Sequence, residues 1–334
     1  MCGVSVATVS RALNGHPEVS EETRRQVQLM AERVGYRPSM AARALVRGRS
    51  NTVGLLWDTS YEAAGRRHPF LASMVIGVKQ ALSAVDKHLI LLNVDADQHG
   101  PRAYLDIARQ FQLDGVLAMA VPGREQALRV LAASELPSVG IDTEMTGPHS
   151  ACVASDNQAG AMEAVRHLYG LGHRRIATIT GPPAMMPARL RLAGYREAAR
   201  ELDLARQYVY SGDFFFDSGY TYGAGLARLS SRRRPTAVFA AGDEMALGAM
   251  HAFADAGLEV PGDIAIVGFD DIEAASLIRP ALTTVAQDTL ALGTAAVHTL
   301  LRFVGGQELS TSSPVLVPTT LIVRQSCGAR SGSG

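Results

Sequence analysis

From Thr52 onward the chain alternates short β-branched or aliphatic runs with longer amphipathic stretches, and no other feature restricts its possible folds so strongly. The strand-like runs are 52–57 (TVGLLW), 88–93 (HLILLN), 115–120 (GVLAMA), 138–141 (SVGI), 175–180 (RIATIT), 236–241 (TAVFAA) and 264–268 (IAIVG). Between them, helical spacing predicts helices over 70–85, 102–112, 157–171, 187–203, 243–257 and 288–304. Runs that are apolar on both faces belong to parallel strands covered by helices on each side. At roughly 150 residues per domain, a chain of 334 residues makes two domains and a small appendage. The alternating part therefore divides into two similar α/β lobes, the second copy starting between Gln158 and Ala177.

The first fifty residues differ in kind. Ser5 is a cap-type residue, and Val6, Val9 and Leu13 follow at helical spacing. Asn14-Gly15 ends that helix as a turn. Ser20 caps a second helix, Glu21 and Glu22 favour its dipole, Val27, Met30, Ala31 and Val34 form its buried face, and Gly35 closes it. Pro38 breaks the chain, 39–47 (SMAARALVR) makes a further short helix, and 48–51 (GRSN) is a linker. The net charge is zero but unevenly spread. Residues 1–50 carry eight Arg against four acidic residues, +4, so the remainder carries −4. A basic head on a slightly acidic body is the layout of a nucleic-acid binder, although a solvated face gives the same count.

Much else is excluded. With 47% apolar and 19% charged residues the chain is not a disordered one. No apolar run reaches the about 18 residues of a membrane span, and the N-terminal residues do not read as a secretory signal. Cys2, Cys152 and Cys327 are odd in number and far apart, so neither a disulfide framework nor a zinc site is expected, and the compartment expected is the reducing cytoplasm. GxGxxG, GxxxxGK[ST], HExxH and GxSxG are all missing, so no enzyme activity and no cofactor are expected. His173 reads as a turn or packing residue. Asp142, Asp243 and Asp270 each follow a strand-like run, where ligands of open α/β sheets sit. Three acceptors converging there suit a polyhydroxylated ligand such as a sugar; the alternative is that each caps the helix after it.

Several segments are recognisable together. VSVATVSRALNGHPEVSEETRRQV followed by GYRPSMAARALVRGRSN resembles the DNA-binding headpiece of the lactose/galactose repressor (LacI/GalR) family. GPPAMMPARLRLAGYREA, AAGDEMALGAM, IAIVGFDD and PALTTVAQD resemble its effector-binding core. The resemblance runs from about Gly3 to Arg324. It implies an all-α helix-turn-helix headpiece before a two-lobed, periplasmic-binding-protein-like core of two parallel-sheet, Rossmann-like subdomains. The expected boundaries are 1–38 for a partial headpiece, 39–51 for hinge helix and linker, 52–154 plus 286–313 for the first lobe, 155–285 plus 314–324 for the second, and 325–334 for a flexible tail. Against the family pattern the headpiece starts at the end of the turn, about a dozen residues late, so much of the helix that supports the recognition helix is expected to be missing.

The resemblance also implies site residues. The helix from Ser5 to Leu13 lies in the major groove, where Val6 and Ala7 choose the operator and Arg11 adds a base contact. Apolar Val6 and Ala7 suit a thymine methyl, and Arg11 a guanine. Thr8, Ser10, Asn14, Ser20 and Thr23 suit phosphate contacts, and Ser5, at the helix start, is counted with the DNA-binding residues. Val9 reads as packing. Leu45 matches a minor-groove wedge. For the effector, Arg191 and Asp270 match ligand residues, Asp142 and Gln287 match pocket positions, and Asp243 follows a strand in the same cleft. Phe214 falls where an aromatic stacks, with Phe215 and Phe216 leaving the register open, and Phe70 lies on the first-lobe rim. Gly242 departs from the Asn common before that Asp. The function implied is a sugar-responsive transcriptional repressor, a homodimer on a double-stranded operator with no membrane association. The alternative is a transport-type sugar-binding protein without DNA binding, and a sugar-processing enzyme stands third. A dimer rather than a tetramer is expected, because QSCGARSGSG carries no leucine heptads.

Overall fold

The protein is described by a computed structural model covering residues 3–13, 16–36, 49–57, 69–92, 94, 96–119, 123–204, 208–307 and 313–329. The expected hinge helix over 39–47, with Leu45, and the turn residue Asn14 lie outside the described residues.

The head contains α1 (Val6–Leu13) and α2 (Glu21–Arg33). The Ser5 hydroxyl accepts from the Thr8 amide at 3.1 Å, and that of Ser20 from Thr23 at 3.3 Å, satisfying amides that a helix start leaves bare. Ala12, Val19 and Val27 form a small core between the helices, with Val9 and Leu13 packed against it.

The first lobe is built on β1 (Thr52–Trp57), α3 (Pro69–Ala84), β2 (His88–Leu92), α4 (Ala96–His99), α5 (Ala103–Gln110), β3 (Gly115–Met119), α6 (Glu125–Ala132), β4 (Ser138–Ile141) and β5 (Ser150–Ser155). The chain crosses into the second lobe through α7 (Asn157–Gly170), β6 (Ile176–Thr180), α8 (Met186–Glu201), β7 (Tyr208–Ser211), α9 (Phe216–Ala227), β8 (Ala237–Ala240), α10 (Asp243–Asp255), β9 (Ala265–Asp270), α11 (Glu273–Leu277) and β10 (Thr283–Gln287). It returns through α12 (Thr289–Val304) and β11 (Val315–Val317), then crosses again into β12 (Thr319–Ile322). One sheet runs β11-β5-β4-β3-β1-β2 and the other β12-β10-β9-β8-β6-β7, all parallel except β12 against β10. In each, β-α-β crossovers cover both faces, which is why β3, β4, β6, β8 and β9 are buried along their whole length.

Two expected features shift. The lobes exchange the chain after Ser155, after Gln287 and between Val317 and Thr319, rather than at 154/155, 285/286 and 313/314. Val315–Val317 pairs with β5 and so belongs to the first lobe, while Ala286 and Gln287 complete β10 in the second. The expected flexible tail is also corrected over 325–329. The hydroxyl of Ser326 donates to the Ile266 carbonyl (2.7 Å) and accepts from the Thr283 amide (2.8 Å), and Ser326 and Cys327 are buried.

In the first lobe, α3 and α12 approach backbone to backbone. A Cβ on Gly77 would stand 2.4 Å from the Thr289 carbonyl oxygen, and one on Gly293 2.7 Å from the carbonyl carbon of Gly77. Glycine at both positions is what lets α12 return across this lobe and hold the β10 crossover in place. Cys152 and Cys327 are free and buried. No helix among the described residues is long and apolar enough to cross a membrane, and no group of His, Cys, Asp or Glu among them is arranged to hold a metal ion.

Candidate ligand cleft and nucleic-acid interface

Parallel strands deliver their carboxyl ends to one edge of each sheet, and in both lobes those edges face the same cleft. The cleft holds a cavity of about 60 Å³. Phe70, Met74 and Met119 wall it from the first lobe, Met185 and Phe214 from the second, and Asp142, Arg191 and Asp270 are its charged groups. Apolar faces with a few fixed acceptors and one fork of donors are the lining that a small polyhydroxylated ring requires.

Arg191 organises the site. It sits in α8 with only 4% of its surface exposed, unlike a charge on the solvent face of a helix. Its Nε donates to Asn157 Oδ1 (2.8 Å), and its Nη1 to the Ala241 carbonyl (2.6 Å) and to Asp270 Oδ1 (3.2 Å). The guanidinium also lies 3.7 Å from the centre of the Phe269 ring. A buried charge needs this much compensation, and the compensation fixes the fork in one orientation. Asn157 in turn donates to Asp142 Oδ1 at 3.0 Å. Asp142 directly follows β4 in the first lobe and Asn157 opens α7 in the second, so Asp142–Asn157–Arg191–Asp270 is one hydrogen-bonded chain across the lobe boundary. Glu144 and Arg189 add an ion pair at 2.7 Å over the same boundary.

Burial, above all, raises the Asp142 carboxyl to about 6, against the lowering effects of Arg191, Asn157 and the Ser155 amide. The backbone here is unusual: Asp142, Phe214, Asp270 and Asp271 have φ of 48, 74, 114 and 54°. Non-glycine residues hold such angles only where the surroundings over-determine them, commonly at binding sites. Asp270 and Asp271 point apart, as expected of neighbours at a strand end. Asp270 faces Arg191 and Gln287, whereas Asp271 pairs with Arg324 at 2.7 Å.

Five of the seven effector positions expected from the sequence meet at the cavity wall: Phe70, Asp142, Arg191, Phe214 and Asp270. Of the three consecutive phenylalanines, Phe214 is the one that lines the cavity. It is buried beside the cavity, over a Gly181 whose Cβ would fall 2.1 Å from the ring, while Phe215 precedes α9 and Phe216 lies against His251. Gln287 stands behind the wall, its Nε2 donating to Asp270 Oδ1 at 2.6 Å. Asp243 is a correction. It is fully buried beneath the wall, where Oδ1 accepts from the Thr284 hydroxyl (2.6 Å) and Oδ2 from the Ile272 amide (2.9 Å). Nor does its side chain cap α10. It fastens α10 to β10 and to the loop after β9, and burial next to Asp270 pushes its carboxyl well above the ordinary range. Sequence reading missed Asn157, whose one signal was its place directly after a strand-to-helix Asp.

On the head, Val6 is 87% exposed, and Ser5, Ala7 and Arg11 are exposed beside it. Ala7 and Arg11 are one helical turn apart, so α1 presents an apolar surface and a guanidinium on one side while Val9 packs inward. Arg11 lies 3.6 Å from Glu18. Thr8 and Ser10 are half-buried, and the hydroxyls of Ser20 and Thr23 bond each other at the start of α2.

The chain resembles known proteins over nearly its whole length. Residues 1–39 match the model of bacterial regulatory proteins of the lacI family, and residues 165–327 that of a periplasmic binding protein-like domain. The ribose operon repressor of Escherichia coli (strain K12) is 33% identical over 321 residues, 95% of either chain. Among solved structures, a transcriptional regulator CelR–cellobiose complex is 32% identical, covering 97% of both chains, with a TM-score of 0.71. The lac repressor dimer bound to operator and the anti-inducer ONPF is 28% identical, covering 98% of this chain and 97% of the other, with a TM-score of 0.85.

Proposed function

The chain belongs to the lacI family of bacterial regulatory proteins, and from that premise we propose that it is a dimeric transcriptional repressor of a two-fold operator. Exposed Val6, Ala7 and Arg11 read base edges in the major groove, and Ser5, Thr8 and Ser10 face the phosphates. A sugar enters the interlobe cleft and sets the strength of that grip. Acting on DNA places the protein in the cytoplasm, and the cleft binds without catalysing. The transport-type alternative leaves the basic two-helix head without a use.

The observation that carries this reading is the buried chain Asp142–Asn157–Arg191–Asp270, which ties both lobes to the same cavity. A ligand that takes up those acceptors and the guanidinium must favour one arrangement of the lobes over another, because the chain spans the boundary between them. Differential contact of that kind is what shifts a two-state equilibrium, by about 1–3 kcal/mol in typical allosteric proteins. The relatives' own names speak of a ribose operon, cellobiose and an operator-bound dimer, which supports a sugar and a dimer.

The test is a thermal-shift screen of pentoses, hexoses and disaccharides, since a ligand that binds only the folded chain raises its melting temperature. Arg191→Ala and Asp270→Ala should abolish the shift while operator affinity stays within about twofold, a few tenths of a kcal/mol. Normal sugar titration by both variants would overturn the site.

A further inference from the structure

At the pole of the second lobe opposite the cleft, two arginine runs come together. The segment His173-Arg174-Arg175 leads into β6, and Arg232-Arg233-Arg234 leads into β8, its neighbour in the sheet. Arg175 fixes one run to the other, its Nε donating to the Arg234 carbonyl at 3.0 Å and its Nη2 to that of Ser231 at 3.4 Å. His173 Nδ1 stands 3.1 Å from the Thr236 hydroxyl, and the Tyr208 hydroxyl donates to the Arg233 carbonyl at 3.5 Å. Arg174 lies 3.6 Å over the ring of Tyr169 and donates to that residue's carbonyl. Arg228 ends α9 just before the second run.

Five of these six arginines are exposed and Arg234 is half-buried. Among the described residues none of the six forms an ion pair. Asp263, in the turn before β9 at the same pole, spends a carboxylate oxygen on the Glu259 amide at 2.9 Å. A chain of zero net charge therefore concentrates positive charge here, on loops pinned by backbone hydrogen bonds. β6 and β8, of five and four residues, separate this pole from the cleft by about 15 Å.

We infer that this pole binds the phosphate backbone of double-stranded DNA without regard to sequence, as a second DNA contact apart from the head. The cationic groups named here are all arginine, whose planar fork pairs bidentately with phosphate oxygens. Among the described residues the large aliphatic side chains exposed at its margin are Leu171 and Val209, at 38% and 39%. Arg174 and Arg175 are held by Tyr169 and by the carbonyls of Arg234 and Ser231, and Arg233 and Arg234 stand on a loop pinned through their amides to Ser230, which suits a repeating anion. The inference rests on the proposed reading only in that the chain already works on DNA.

The experiment measures binding of the full chain to a scrambled duplex with no operator, between 50 and 200 mM salt, by fluorescence anisotropy. Because each lost phosphate contact removes about 0.9 from the slope of log K against log salt, R174Q/R232Q/R233Q should flatten that slope by about two to three. It should leave operator affinity at the head intact, so the ratio of operator to scrambled affinity should not fall, whereas Arg11→Ala should lower operator affinity and keep the slope difference between wild type and triple variant. Wild-type protein held on immobilised operator should capture a second, free duplex, and the triple variant should not. The single charge reversal Arg232→Glu, checked by unchanged melting temperature, should weaken capture in the same direction. Equal slopes for wild type and the triple variant overturn the inference. So does a polyglutamate peptide that binds the wild type and loses binding in the triple variant while duplex capture is indifferent to it. Loss of operator discrimination in all proteins alike would instead count against the repressor reading.

Discussion

Asp142 and Asp243 are two carboxylates at strand ends, alike in sequence, that the fold puts to different work. Asp142 reaches the cavity and the lobe boundary, and its raised value of about 6 makes the cleft sensitive to pH. A carboxyl raised above its unfolded value binds its proton more tightly in the folded chain, so its contribution to stability falls as pH rises from about 4 through about 6. Asp142→Asn keeps an acceptor for Asn157 and removes the titration. The variant's melting temperature should therefore vary less over that window than the wild type's, and an unchanged profile would contradict the assignment. Asp243 holds two buried donors instead. Asp243→Ala leaves the Ile272 amide and the Thr284 hydroxyl without their acceptor, at about 1–3 kcal/mol for each, so urea unfolding should show a loss of about 2–6 kcal/mol. Sequence reading grouped the two because both follow strands. It had no means of telling a cleft wall from the layer beneath it, since that depends on where Thr284 and Ile272 arrive from other elements. Arg191 was legible for the opposite reason: its motif carried it.

At the scale of elements, strands with bulky aliphatic residues were readable to within a residue or two, as in β1, β4 and β6. Those built from small or hydroxylated residues were not. β5 (SACVAS) is buried throughout, yet alanine, serine and cysteine give no β signal, and β11, of three residues, is too short to show alternation. α9 (FDSGYTYGAGLA) was missed because its glycines serve close packing against α10 and lower helix propensity. The return of 325–329 to the second sheet was hidden because its polar composition reads as a tail, while its hydrogen bonds are to Ile266 and Thr283. The α3–α12 crossing gives a test at this scale. Gly293→Ala forces a methyl against the Gly77 backbone and should destabilise the first lobe by about 1–3 kcal/mol in urea unfolding. An unaffected variant would show that the two helices can part without cost.

For the whole molecule, the two lobes act as a unit only if head, cleft and partner subunit are linked. The first lobe exposes Ile76 on α3, Leu91 on β2 and Leu290 at the start of α12, at 54, 56 and 49%. Covering them in a dimer sets two heads at the fixed spacing that a two-fold operator requires. Light scattering should give the mass of two chains, and Ile76→Asp with Leu290→Asp should give one chain and weak operator binding. A wild-type monomer would remove the basis for two-fold recognition. Operator affinity, measured with and without the sugar that most raises the melting temperature, shows whether the cleft controls the head. It should change at least about tenfold, about 1.4 kcal/mol, in wild-type protein and not at all in Arg191→Ala. An operator affinity indifferent to a sugar that demonstrably occupies the cleft would contradict that control.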